Sequence, residues 1–183
     1  MDTTPLVIFF SRTGNTHVVV QEIERHFSCD TERIISKKRR TGFWAINNVV
    51  DMLCDQDDVA EPLTHDISAY NPLIFASPIW IHKLCSPVNT LVKNTNLTGK
   101  DIYLFVTHSG NYFEADEAVI RKQCDATGAT LKGLYGILTR PEGEWHPHNT
   151  IGAILKGIHT TLTKDIPPEE IRKKTAELLR HIA

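Results

Sequence analysis

At 183 residues, with 41% hydrophobic and 23% charged residues, the chain has room for one domain with a sizeable core and the composition of a globular protein. A formal net charge of −2 argues against a nucleic-acid footprint, and no apolar run approaches the roughly 20 residues that span a bilayer. The N-terminus lacks the basic-then-apolar pattern of a secretory leader, so a cytoplasmic location is expected.

Cys29, Cys54, Cys85 and Cys124 form no CxxC pair, which argues against a zinc ribbon or an iron–sulfur cluster and for small buried hydrophobes. Lys37-Lys38-Arg39-Arg40 is the one basic run, either a solvated loop or a docking patch for an anionic partner or cofactor.

Leu6-Val7-Ile8-Phe9-Phe10 is a continuous apolar run and predicts a strand buried on both faces. A helix comes next, from about Gly14 to Phe27, with Thr16, Val19, Ile23 and Phe27 on one face. Glu32 to Ser36 is a short second strand. Residues 43–54 carry Phe43, Trp44, Ile46, Val49, Val50 and Leu53 at the spacing of an extra amphipathic helix. Leu73–Ala76 is the third strand, with Pro78 expected to stop it. Residues 86–94 form a helix with Pro87 at its first position.

Ile102–Val106 is the fourth strand, and residues 114–127 form a helix with acids early and bases late, as the macrodipole favours. Leu131–Leu138 is the fifth strand, weakened by Gly133 and Gly136. Residues 139–167 are a long Pro-, Gly- and His-rich connection, and Pro168–Ile182 is the last helix, with Ile171, Thr175, Leu178 and Ile182 as its stripe. Strand–helix alternation of this kind predicts a doubly wound α/β fold: five parallel strands, helices on both faces and ligands beyond the carboxyl ends of the strands.

The loops at those carboxyl ends are therefore the informative segments. The first strand runs into Ser11-Arg12-Thr13-Gly14-Asn15-Thr16, hydroxyls at short intervals with a glycine for the turn and a helix start behind them. Such a loop can neutralise a phosphate dianion with dipoles and hydrogen bonds, without a lysine. It can also be a plain helix cap. There is no GxxxxGK[ST] and no GxGxxG, which excludes a P-loop and the dinucleotide fingerprint. A serine-hydrolase elbow is missing as well. A receiver domain would need acids where Ser11 and Ser77 stand.

At every fixed position Ser11 to Thr16 match [ST]-x-T-G-x-T, and on this ground the chain resembles the flavodoxin family, whose phosphate loop for flavin mononucleotide (FMN) has that pattern. Ser77-Pro78-Ile79-Trp80-Ile81 is similar to the family's loop after the third strand, where an aromatic ring stacks on the flavin. Thr107-His108-Ser109-Gly110-Asn111-Tyr112 resembles the loop after the fourth, which holds the pyrimidine edge; Gly110 permits close approach and Tyr112 can stack on the other ring face. The resemblance implies a sheet order 2-1-3-4-5 and non-covalent FMN held by Ser11, Arg12, Thr13, Gly14, Asn15, Thr16, Ser77, Pro78, Ile79, Trp80, Ile81, Thr107, His108, Ser109, Gly110 and Tyr112. The stretch Lys37–Trp44 and the Pro-Ile-Trp loop are similar to a sparsely characterised microbial branch of that family.

Residues 1–183 are expected to be one such domain, with insertions at about 37–62 and 139–167. Two functions fit: electron transfer through the flavin to a redox partner protein or small-molecule acceptor, or an NAD(P)H-dependent quinone or flavin reductase. A binding module that kept the fold and lost the cofactor is the third class. Monomer and homodimer are both open. The chain is less acidic than electron-carrier flavodoxins. His82 and His108 stand in the presumed flavin loops. His146 and His148 have no third partner that would suggest a metal, and the 139–167 segment is read as a flap over the flavin edge.

Overall fold

The computed structural model describes residues 4–38, 56–80, 82–108, 114–139 and 166–180. In chain order its elements are β1 (Leu6–Phe9), α1 (Asn15–His26), β2 (Asp30–Arg33), β3 (Leu73–Trp80), β4 (Lys83–Leu84), α2 (Ser86–Asn94), β5 (Asp101–His108), α3 (Glu114–Asp125), β6 (Thr130–Leu138) and α4 (Pro168–Leu179). A single 3-10 turn, Ile67–Ala69, precedes β3.

The strands lie in the order β2-β1-β3-β5-β6 and all of these neighbours are parallel, while the two-residue β4 pairs antiparallel with the end of β3. With that hairpin strand set aside, the order is the expected 2-1-3-4-5. Successive side chains of a strand point to opposite faces. Along β1, Leu6 and Ile8 therefore join a core with Phe75, Val88, Leu104 and Ile120, under α2 and α3. Val7 and Phe9 join a second core with Val19, Ile23, Phe105 and Ile171, under α1 and α4. A strand that feeds two cores is apolar throughout, which is why β1 reads as a continuous hydrophobic run.

Several boundaries differ from expectation for local physical reasons. β2 starts at Asp30, earlier than Glu32, because it is an edge strand whose pairing with β1 begins at Leu6↔Asp30. Its one buried residue is Glu32. The Glu32 carboxylate Oε2 accepts hydrogen bonds from Thr64 Oγ1 (2.6 Å), Thr64 N–H (3.2 Å), His65 N–H (3.1 Å) and His65 Nδ1 (2.5 Å). Burial pushes its pKa up, but these hydrogen bonds outweigh burial and hold the carboxyl below the ordinary value.

β3 does not stop at Pro78. Ala76 offers its carbonyl to Phe10 N–H on the β1 side, so Pro78, two residues on, faces the same side beyond the end of β1. No ladder donor is required there, and the Pro78 carbonyl accepts from Cys85 N–H at 3.1 Å. In β6 the register slips by one residue, from Ile102↔Leu131 to Tyr103↔Gly133, leaving Lys132 as a bulge. Gly133 is needed at that point because a Cβ there would lie 2.5 Å from Tyr135 Oη and 2.6 Å from the ring. The last helix buries Ile171, Thr175 and Leu179, with Leu178 only partly covered. Ile182 lies outside the described residues.

Cys85 and Cys124 are core residues. Burial pushes the Cys124 thiol up to about 11. Cys54, the helix expected at 43–54 and most of the 139–167 connection lie outside the described residues. Their flanks are described. The chain on either side of 39–55 runs side by side through Lys37 N–H to Val59 O (2.8 Å) and Glu61 N–H to Ile35 O (2.9 Å). The ends of 140–165 meet through Ile166 N–H to Thr139 O at 3.0 Å. No described helix is long and apolar enough to cross a membrane.

Candidate functional site

The carboxyl ends of β1, β3, β5 and β6 lie along one edge of the sheet, where a doubly wound fold leaves room for a ligand. Ser11 stands just beyond β1 and is buried. Its Oγ accepts from Gly14 N–H (3.2 Å) and His17 N–H (3.3 Å), so one hydroxyl folds the loop back on itself and caps the start of α1. Its lone pairs being engaged, the Ser11 O–H remains as a donor. Gly14 has φ +103, a conformation that L side chains rarely adopt, and a Cβ there would meet nothing within 4 Å. The backbone at Gly14 is thus both specially bent and open to approach. Thr13 is exposed, and Arg12 and Asn15 are half-buried.

Thr16 is buried on the first turn of α1, and its Oγ1 lies 2.9 Å from Thr107 Oγ1 near the end of β5. This hydrogen bond joins two residues expected at one site from separate loops. The same contact engages both hydroxyls with each other. Phe10 meets Trp80 edge-on, with ring centroids 5.7 Å apart, bringing the β1 and β3 ends together. Arg33, at the end of β2, donates from Nη2 to the Ser11 carbonyl at 3.2 Å. His108 closes the other side: its carbonyl accepts from Thr139 N–H (2.8 Å) and Thr139 Oγ1 (3.0 Å).

Ser77 lies near the end of β3. It is fully buried, accepts from Cys85 N–H at 3.2 Å and donates to the Pro78 carbonyl at 2.9 Å, so its side chain secures the β3–β4 hairpin. Pro78, Ile79 and Trp80 are half-buried on the last residues of β3. Ile81, Ser109, Gly110, Asn111 and Tyr112 lie outside the described residues.

Two features were not legible in the sequence. A hollow of about 220 Å³ beside the first loop is lined by Phe10, Ser11 and Arg12 together with Arg33, Ser36 and Lys38. It gathers three cations from separate segments; the Lys37–Arg40 run was the only hint. The pairing of His82 is the second. His82 sits in the two-residue turn between Trp80 and Lys83, with φ +65, and its Nδ1 lies 2.5 Å from Asp116 Oδ1 on α3. Nothing in the spacing of residues 82 and 116 announces that pair. Among the described residues, no group of three or more His, Cys, Asp or Glu could hold a metal ion.

No protein-family model matches the chain, and no curated protein matches it. Solved structures do. A flavoprotein from Lactobacillus acidophilus, in complex with FMN, superposes with a TM-score of 0.62 at 17% identity, over 73% of this chain and 93% of that one. A protein from Bacteroides eggerthii gives 0.65 at 17% identity, over 88% and 100%. A flavodoxin, a WrbA-like protein from Agrobacterium tumefaciens, gives 0.51 at 9% identity, over 98% and 97%. Together with the strand order and the loops at the carboxyl edge, these matches establish that the chain has the flavodoxin-like fold.

Proposed function

We propose that the chain binds FMN non-covalently at the carboxyl edge of its sheet and serves in electron transfer. The observation that carries this reading is the loop Ser11–Thr16, with its capped helix start, its open backbone at Gly14 and its hydroxyl contact to the β5 end. The residues present fit a phosphate: the loop has no carboxylate, Ser11 keeps an O–H donor, and Thr13 and Arg12 stand at its outer side. In this reading Ser11, Arg12, Thr13, Gly14, Asn15 and Thr16 hold the phosphate. Pro78, Ile79, Trp80 and Ile81 cover one ring face, and Thr107, His108, Ser109, Gly110 and Tyr112 border the other edge. Ser77 acts through the hairpin it secures. When bound, the flavin supplies reversible redox chemistry; the chain binds it, sets its exposure and excludes water.

The whole chain, 1–183, is read as one domain with insertions after β2 and β6. The FMN complex of the Lactobacillus acidophilus protein supports the choice of cofactor. A second reading, a reductase that takes NAD(P)H, is favoured by the cationic hollow of Arg12, Arg33 and Lys38, which suits the phosphates of an anionic co-substrate.

The visible spectrum of the purified protein, with FMN fluorescence titration of any colourless fraction, tests the cofactor. A flavin spectrum or quenching on titration supports the reading; a colourless protein that leaves FMN fluorescence unchanged overturns it in favour of a module without cofactor. Anaerobic oxidation of NADH or NADPH with a quinone then separates the two roles. Turnover by the protein alone makes it a reductase. Dependence on a separate reductase makes it a carrier.

A further inference from the structure

We propose that His82 donates a proton to the bound flavin ring and that Asp116 is the positioning residue that keeps its ring in the donating orientation. This rests on the FMN reading above.

His82 stands in the short connection between β3 and β4, two residues long since Trp80 pairs with Lys83. Turns of that length require positive φ and favour Gly, Asn or Asp. A histidine occupies the position instead, with φ +65. Its side chain is 63% exposed, while that of Asp116 is 8% exposed. The pair thus consists of a buried carboxylate, in the first turn of α3 where the helix dipole favours negative charge, and a ring held out at the edge of the sheet.

The ionised carboxylate can only accept, so Nδ1 carries the hydrogen toward Asp116 and Nε2 is the nitrogen that this contact does not use. The turn belongs to the segment that carries Trp80, and α3 comes directly after the loop that leaves β5. The pair therefore ties the connection after β3 to the first turn of α3. Lys83 on β4 and Glu117 on α3 are the ionisable groups next along the chain to the pair.

Atoms and electrons balance in this step. A donor that brings electrons without hydrogen delivers two electrons to the ring, which needs one proton to reach its reduced anionic form. The Nε2–H bond of the protonated His82 ring breaks as a bond forms at the ring nitrogen. The neutral imidazole then recovers a proton from water on its open side.

The test uses three proteins: wild type, His82→Asn, which tolerates positive φ, and Asp116→Asn. Nitrogen-15 NMR of the protein before FMN is added reads the tautomer. Wild type is expected to hold His82 mainly as Nδ1–H, and Asp116→Asn to lose that preference. With FMN bound, the His82 titration curve should move to higher pH on reduction by dithionite, and the plot of midpoint potential against pH from 5 to 8 should bend where His82 titrates. The bend should vanish in His82→Asn and move in Asp116→Asn.

An FMN complex that binds and reduces normally, yet shows the same bend in His82→Asn and no change in the His82 resonances on reduction, overturns the proposal and leaves the FMN reading standing. Absence of FMN binding in all three proteins overturns both, and is told apart by the titration with FMN. An Nδ1–H tautomer that survives Asp116→Asn removes Asp116 from the positioning role.

Discussion

Thr13 and Thr16 look interchangeable in the motif, but the structure gives them opposite roles, and the difference can be measured. Thr13 is exposed, so Thr13→Val should change the stability of the ligand-free protein by less than about 0.5 kcal/mol. Thr16 is 2% exposed and shares a 2.9 Å hydrogen bond with Thr107. Thr16→Val fills the same volume but leaves the buried Thr107 hydroxyl without its partner, which costs about 1–3 kcal/mol. For a domain of this size that is a fall in Tm of roughly 2–12 °C, at 2–4 °C per kcal/mol. FMN affinity should respond in the reverse order. A charge-assisted hydrogen bond contributes about 1.5–3 kcal/mol, so removing the Thr13 hydroxyl should weaken binding by roughly ten- to 150-fold. Thr16→Val should weaken it less, because its hydroxyl is already engaged. Thermal melts without ligand and fluorescence titration with FMN read the two effects separately. A Thr13→Val protein with wild-type FMN affinity would refute the placement of the phosphate at this loop. A Thr16→Val protein with unchanged melting would refute the Thr16–Thr107 account.

Gly133→Ala should destabilise by about 1–3 kcal/mol, since its Cβ displaces the Tyr135 ring from its stack on Phe105; in a Tyr135→Ala background most of that loss should disappear, as chemical denaturation of the four proteins will show. Glu32 has a folded pKa below its unfolded value, so its contribution is complete above about pH 4.5 and is lost as pH falls through the folded value. Glu32→Gln should therefore lower stability at pH 7 and flatten the acid limb of a urea-unfolding series between pH 3 and 6. Trp80→Ala should alter both the quenching of FMN fluorescence and its midpoint potential; if neither moves, Trp80 does not lie against the ring.

The fold was legible because burial on two faces leaves a one-dimensional trace. Continuous apolar runs gave β1, β3 and β5, and Pro87 marked the start of α2 to within one residue, standing second in the helix after Ser86. The errors fell where geometry depends on the neighbouring strand. Pro78 reads as a stop only if a partner requires its N–H, and β1 has already ended there. Gly133 reads as a weakness until the Tyr135 ring that lies over it is known. The loop Ser11–Thr16 was legible as a motif, whereas the burial of Ser77 and its role in the hairpin were not, because a serine in a loop carries no sign of which way its hydroxyl turns.

Beyond the reach of any pattern are the polar pairs between distant residues: Thr16 with Thr107, His82 with Asp116, and Glu32 with His65. Each joins segments far apart in the chain, and each has a buried member. Two of the three, with the Arg33 contact to Ser11 and the Thr139 contacts to His108, lie along the carboxyl edge. Cross-bracing of this kind fixes loop positions before a ligand arrives, which lowers the ordering cost of binding. It also divides the hydroxyls of the edge into braces and donors. Residues engaged with the protein contribute to affinity mainly by holding the shape, and the exposed Thr13 must contact the ligand itself. The motif names both kinds with the same letters; only the contacts tell them apart.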